Sequence, residues 1–266
     1  MRFFSLIFLF LPVVGQQLTF NRVLQPIVEK RLRSYTQKNK DRLPALRQIF
    51  EDVGCKDETL TEQKVKGVKA PNLICTQKGA TDSVILVGAH FDLIEKGDGV
   101  ADNWSGASLL PSLFESLANT QRKHTFVFVA FTGEELGLLG SKSYVKKMGK
   151  ELSSIKAMVN IDTLGLADTK VWTSHADKDL LQKLYKIADA LHLPIAGVNV
   201  ERVGSTDSES FREKKIPSIA LHSVTSETLK ILHSPQDTIE SVKLDEYYRS
   251  YRLIVAYLAF LDQELE

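Results

Sequence analysis

The stretch Thr125-Phe126-Val127-Phe128-Val129-Ala130-Phe131 constrains the fold more than any other. It is apolar beyond its first residue, rich in aromatic and β-branched side chains, and shorter than a buried helix. A strand with both faces away from water fits that pattern. Residues 83–89 (Ser-Val-Ile-Leu-Val-Gly-Ala) repeat the signature, and shorter runs at 157–161 and 218–221 extend it. Strands buried on both faces belong to mainly parallel sheets covered by helices. Apolar spacing predicts those helices over 20–38, 41–53, 104–118, 135–148, 177–191 and 244–262. Further strands are expected over 64–69, 72–77 and 171–173. The fold class is α/β, with a mixed, mainly parallel central sheet sandwiched between helices.

Charge excludes some functions. Lys plus Arg number 34 against 33 Asp plus Glu, and the basic residues are scattered without interleaved aromatics, which argues against nucleic acid. Past the N-terminus, no apolar run is long enough to cross a bilayer. The N-terminus reads differently. Met1-Arg2 precedes a dense apolar run that ends at Val13-Val14-Gly15, the pattern of a signal peptide over residues 1–15. The chain is therefore expected to be exported, periplasmic or secreted, with no membrane association after cleavage. Residues 16–266 are expected to form a single domain, since no repeat, low-complexity stretch or linker interrupts them. Cys55 and Cys75 are the two cysteines; in an oxidising compartment such a pair invites a disulfide, and its spacing is not that of a redox or metal motif.

In open α/β sheets, ligands bind beyond the carboxyl ends of the strands. The polar residues of interest gather there. The strand at 83–89 runs into His90-Phe91-Asp92, that at 125–131 into Thr132-Gly133-Glu134-Glu135, and that at 157–161 into Asp162. Between them Gly99-Val100-Ala101-Asp102-Asn103-Trp104-Ser105-Gly106 opens a helix, and His233-Ser234-Pro235-Gln236-Asp237-Thr238 precedes the last one. Each piece alone has an ordinary explanation: a hydrogen-bonded His–Asp pair, a helix start or cap, a turn. Together they do not, because burying so many acids at one sheet edge without counter-charge is costly. Two divalent cations would balance Asp102, Glu135, Asp162 and a bridging hydroxide, with His90 and His233 neutral. Nitrogen and carboxylate donors without thiolate suit catalytic zinc.

These segments, in this order, closely resemble the co-catalytic zinc aminopeptidases, metallopeptidase family 28, over about residues 60–262. The resemblance implies two Zn2+ per chain and peptide substrates with a free N-terminus. His90 and Asp162 would bind one zinc, Glu135 and His233 the other, and Asp102 would bridge them. Glu134 would be the general base, and Asp92 the carboxylate that orients His90. It also implies a cis peptide after Asp102. Two departures from the family pattern stand out: Trp104, where many relatives have a small residue, and Gly204-Ser205-Thr206-Asp207-Ser208, where a Gly-Ser-Asp-His stretch is common. The alternatives are a glutaminyl-peptide cyclotransferase, which shares the fold with a single zinc, and a peptidase-like binding domain without catalysis. Dipeptidase or carboxypeptidase activity is a variant of the hydrolase reading.

Overall fold

The computed structural model describes residues 6–11, 16–118, 120–200 and 204–266. Residues 1–5 and 12–15 of the expected signal peptide lie outside them. Strand β1 (Leu6–Leu11) pairs antiparallel with β2 (Gln16–Asn21) as a separate two-stranded sheet. Helices α1 (Gln25–Leu32) and α2 (Asn39–Asp52) follow, then β3 (Leu60–Gln63), β4 (Asn72–Gln77) and β5 (Val84–His90). The order continues with α3 (Ser105–Leu117), β6 (Thr125–Phe131), α4 (Leu139–Met148), β7 (Ile155–Ile161) and β8 (Lys170–Val171). It closes with α5 (Lys178–Ala190), β9 (Ala196–Gly197), α6 (Ser208–Arg212), β10 (Ser218–His222) and α7 (Leu244–Glu264).

The main sheet has eight strands in the order β3-β4-β6-β5-β7-β10-β8-β9. Its centre, β6-β5-β7-β10, is parallel throughout, and the antiparallel pairings lie outside that centre. The unbroken apolar runs follow from two covered faces. Phe126, Phe128 and Ala130 of β6 enter the larger core beneath α3 and α7, while Val127, Val129 and Phe131 enter the smaller core on the other face, with Tyr144 of α4 and Phe211 of α6. Alternate side chains of one strand thus feed opposite cores. Cys55 and Cys75 form a disulfide with Cα atoms 6.2 Å apart, tying the turn after α2 to β4.

Four local expectations need correction. The helix expected over 20–38 gives way to β2 and a shorter α1, because Leu18 and Phe20 alternate inward before Pro26 begins the helix. The strand expected over 64–69 lies earlier, at β3, and the alternating lysines sit on a turn where Gly67 has φ +94°. The helix expected from 135 starts at Leu139, since Gly137 (φ +95°) and Leu138 (φ +61°) are left-handed. The strand expected over 171–173 is β8, and residues 173–175 turn as a short 3₁₀ helix. Among the described residues no helix is long and apolar enough to cross a membrane.

Candidate metal centre

Three parallel strands deliver the site. His90 is the last residue of β5, Asp162 directly follows β7, and Glu134 and Glu135 sit on the turn after β6. Because the strands run parallel, all of these side chains emerge at one sheet edge. The loop from Gly99 to Trp104 brings Asp102 across it, and the turn before α7 brings His233.

Asp102 divides its carboxylate between two groups. Oδ1 lies 3.3 Å from His90 Nε2, and Oδ2 lies 3.1 Å from His233 Nε2. His90 Nε2 is also 3.7 Å from Asp162 Oδ1, and His233 Nε2 is 3.1 Å from Glu135 Oε1. Three groups have donor atoms within 4.8 Å of one another: the triads His90–Asp102–Asp162 and Asp102–Glu135–His233, which share Asp102, and His90–Glu134–Glu135. A tetrahedral zinc with ligands at about 2.0–2.1 Å spaces them about 3.3 Å apart, so these separations fit a cation in each triad. The structure brings together all five residues that the sequence reading assigns to metal.

Charge points the same way. Burial pushes the Glu134 carboxyl up to about 10, with the charges of Asp207 and Asp162 adding to it. Burial and then Asp102 push Glu135 up to about 7. Burial works against a charged His90, but Glu134, Asp102 and Asp162 outweigh it and hold its pKa well above the ordinary value. The hydrogen bond to Asp102 raises His233 to about 9 despite partial burial. Burial likewise opposes ionisation of Asp102, yet hydrogen bonds from His233 and His90 keep its pKa below the usual carboxylate range. Carboxyls that raise one another's proton affinity lack positive charge, and a divalent cation supplies it.

The loop that carries Asp102 is held from three sides. Asn103 Nδ2 donates to the carbonyl of Ile161 at 2.9 Å, and its Oδ1 accepts from the backbone N–H of Gly106 and of Thr163, both at 3.0 Å. This packs the loop against the β7 end so closely that a Cβ on Gly106 would sit 2.6 Å from the Ile161 oxygen. Asp237 Oδ1 accepts from Ala101 N at 2.7 Å and its Oδ2 from Asp102 N at 3.0 Å. From beneath, the fully buried Arg42 donates to the carbonyls of Phe91, Asp98 and Gly99 at 3.0, 2.6 and 2.8 Å. The Asp102–Asn103 peptide is cis. Trp104 fills the space between this loop and the N-terminal helices: its Nε1 donates to the Arg31 carbonyl at 3.3 Å, and the Arg42 guanidinium carbon is 5.5 Å from its ring centre.

Asp92 does more than the sequence reading proposed. Its two carboxylate oxygens accept the backbone N–H of Glu134 (3.1 Å) and Glu135 (3.2 Å), fixing the turn that presents both glutamates. His90 Nδ1 lies 3.2 Å from the Asp92 carbonyl and 3.7 Å from its carboxylate. The sequence reading missed Asn103, Asp237 and Arg42 as supports. For Asp237 a signal existed, since it lies inside the His233 motif; for Arg42, in a separate helix, none did.

The cluster forms one wall of a cavity of about 400 Å³. Opposite stand apolar side chains, among them Trp172, Val224, Leu229 and Leu232. The departing stretch contributes Gly204, Ser205 and Thr206 to the lining, while Asp207 is wholly buried, its carboxyl pushed up to about 7 by burial. His222 also lines the cavity, but Nδ1 accepts from Val224 N at 3.1 Å and Nε2 donates to the Val198 carbonyl at 3.0 Å, so both nitrogens are engaged.

Residues 72–258 match Peptidase family M28, and the chain belongs to that family. It is 28% identical over 205 residues to aminopeptidase YwaD of Bacillus subtilis, covering 74% of this chain and 44% of that protein. The chain thus spans under half the length of this curated relative. Among solved structures, it is similar to the Legionella pneumophila LapA aminopeptidase, with a TM-score of 0.79, 25% identity, and coverage of 92% of this chain and 73% of that one. The zinc aminopeptidase BSAP of Bacillus subtilis superposes with a TM-score of 0.66 at 25% identity, over 74% of this chain and 50% of that one.

Proposed function

We propose that residues 16–266 are an exported, zinc-dependent aminopeptidase domain that hydrolyses the first peptide bond of peptides with a free N-terminus. The observation that carries this reading is the divided carboxylate of Asp102, with one oxygen toward each histidine triad and a side-chain-sized apolar cavity beside both. His90 and Asp162 would hold one zinc and Glu135 and His233 the other, with the Asp102 carboxylate shared between them. Bound zinc supplies Lewis acidity, which polarises a carbonyl and brings the pKa of water towards about 7. Glu134 accepts the proton of the attacking water and delivers it to the departing amine; its buried setting raises its affinity for that proton. Asp92 holds Glu134 and Glu135 at their backbone amides, so base and ligand diverge from one fixed turn. The apolar wall receives the N-terminal side chain, which favours a large apolar residue such as leucine. The Cys55–Cys75 disulfide supports an oxidising compartment, in keeping with export.

The test is release of amine from aminoacyl-amide reporters and conversion of a peptide beginning with glutamine, with chelator and with zinc restored. The expected result is hydrolysis lost on chelation and regained with zinc. Cyclisation of the glutamine peptide with loss of ammonia, in place of hydrolysis, would make the domain a cyclotransferase. A zinc-loaded protein inert on every peptide would make it a binding domain.

A further inference from the structure

A second groove, of about 930 Å³, lies on the other side of Glu135. It runs between the start of α2, the 67–71 turn, residues 91–95 and the turn at 132–136. Glu135 lines both this groove and the cavity of the metal centre, so the two spaces meet at that side chain. Leu43, Val68 and Leu136 give the groove an apolar lining, and Leu136 is 64% exposed. Three exposed lysines, Lys38, Lys40 and Lys69, stand along it. Among the described residues the lysines that form ion pairs are Lys78 and Lys183, neither of which lines the groove. Of the three acids that line it, Glu95 is the exposed one. Asp92 is occupied by two backbone amides, Glu135 belongs to a triad, and Glu95 Oε1 accepts from Asn39 N at 3.2 Å.

We propose that this groove receives the leaving portion of the peptide and selects acidic side chains there. The inference rests on the aminopeptidase reading. With the N-terminal residue in the first cavity, the scissile bond lies against the Glu134–Glu135 turn, and the residues beyond it have the groove as their adjoining space. The apolar lining accepts backbone and aliphatic stems, and the unpaired ammonium groups attract carboxylates. Because these lysines are solvated, the selectivity is moderate and weakens with salt.

The experiment compares kcat/KM for Leu-Ala-Glu-Glu and Leu-Ala-Lys-Lys, with a leucyl-amide reporter that has no leaving residues as control. Wild type should favour the acidic peptide by about three- to tenfold at low ionic strength, the size that a few exposed charge pairs generate. The triple variant K38Q/K40Q/K69Q should bring the ratio near one with reporter turnover unchanged, and K38E/K40E/K69E should invert it. Equal rates on the two peptides in wild type, or a preference that survives both triple variants, overturns the proposal while leaving the aminopeptidase intact. Failure to cleave the reporter, with zinc bound, removes both readings together.

Discussion

The two triads share Asp102 but are built from different materials. In one, His90 ends a central strand and Asp162 follows the next, with side chains 2% and 14% exposed. In the other, Glu135 rides on a turn and His233 on a loop, where its backbone is left-handed (φ +54°) and its side chain 46% exposed. Sheet and core over-determine the first; the second keeps its shape only while two loops hold theirs. A cation bound by the loop-borne triad is therefore the more exchangeable, and the buried triad is the more expensive to damage. Loops commonly carry the adjustable half of a site on a rigid scaffold.

The largest expected effect falls outside both triads. Glu134→Gln should lower kcat about a hundredfold or more, the usual contribution of a general base, with both zinc equivalents retained. Loss of zinc in that variant would make Glu134 a ligand, through its group with His90 and Glu135, and break the division. Next, His233→Ala should reduce bound zinc from two equivalents toward one with little change in thermal unfolding. His90→Ala should lower the unfolding temperature markedly, because it leaves buried carboxylates without a partner, a loss of about 3–5 kcal/mol for a broken buried pair. Metal analysis after dialysis, with calorimetry, would reveal the reverse ranking if the comparison is wrong. Asp237→Asn removes one acceptor from beneath the bridging loop and should weaken zinc binding about ten- to a hundredfold, as loss of a ligand's support does. A competitive chelator titration reads that change.

The smallest effect concerns pH. Without zinc, burial raises Glu135 and Asp207 to about 7 and Asp237 to about 6, and the Asp102 hydrogen bond raises His233 to about 9. The folded protein then holds protons that the unfolded chain has released, the carboxyls above about pH 4 and the histidine above about 6.5. Stability must fall as pH rises through that range. Chelated protein should unfold a few degrees lower at pH 8 than at pH 5. Zinc should reverse the trend, since its ligands bind deprotonated.

What the sequence disclosed follows the same division. The buried triad was legible because continuous apolar runs locate the strands, and His90 and Asp162 stand at their ends. Glu135 was legible in the same way, just past the strand at 125–131, whereas His233 took on a role only as part of a motif matched to a known family. The turn carrying Glu134 and Glu135 read as the start of a helix, because propensity does not foresee the left-handed Leu138. Lys64-Val65-Lys66 alternates as a strand would, but Gly67 turns the chain there. Asp237 and Arg42 hold backbone groups of a loop distant in sequence, and Asn103 ties that loop to the distant end of β7; such contacts leave no periodic trace.

Arg42 is one half of a clasp on the loop that carries Asp102. It lies in the second helix, its guanidinium buried against the loop carbonyls, while Asp237 and His233 approach the same loop from near the last helix. The residue at the middle of the site is thus clasped by an early segment and a late one. A chain still emerging from the ribosome holds the first clasp without the second, and has neither His233 nor the support under Ala101 and Asp102. Both supports of the loop that carries Asp102 are therefore in place only once the segment around residues 233–237 has folded back against the second helix.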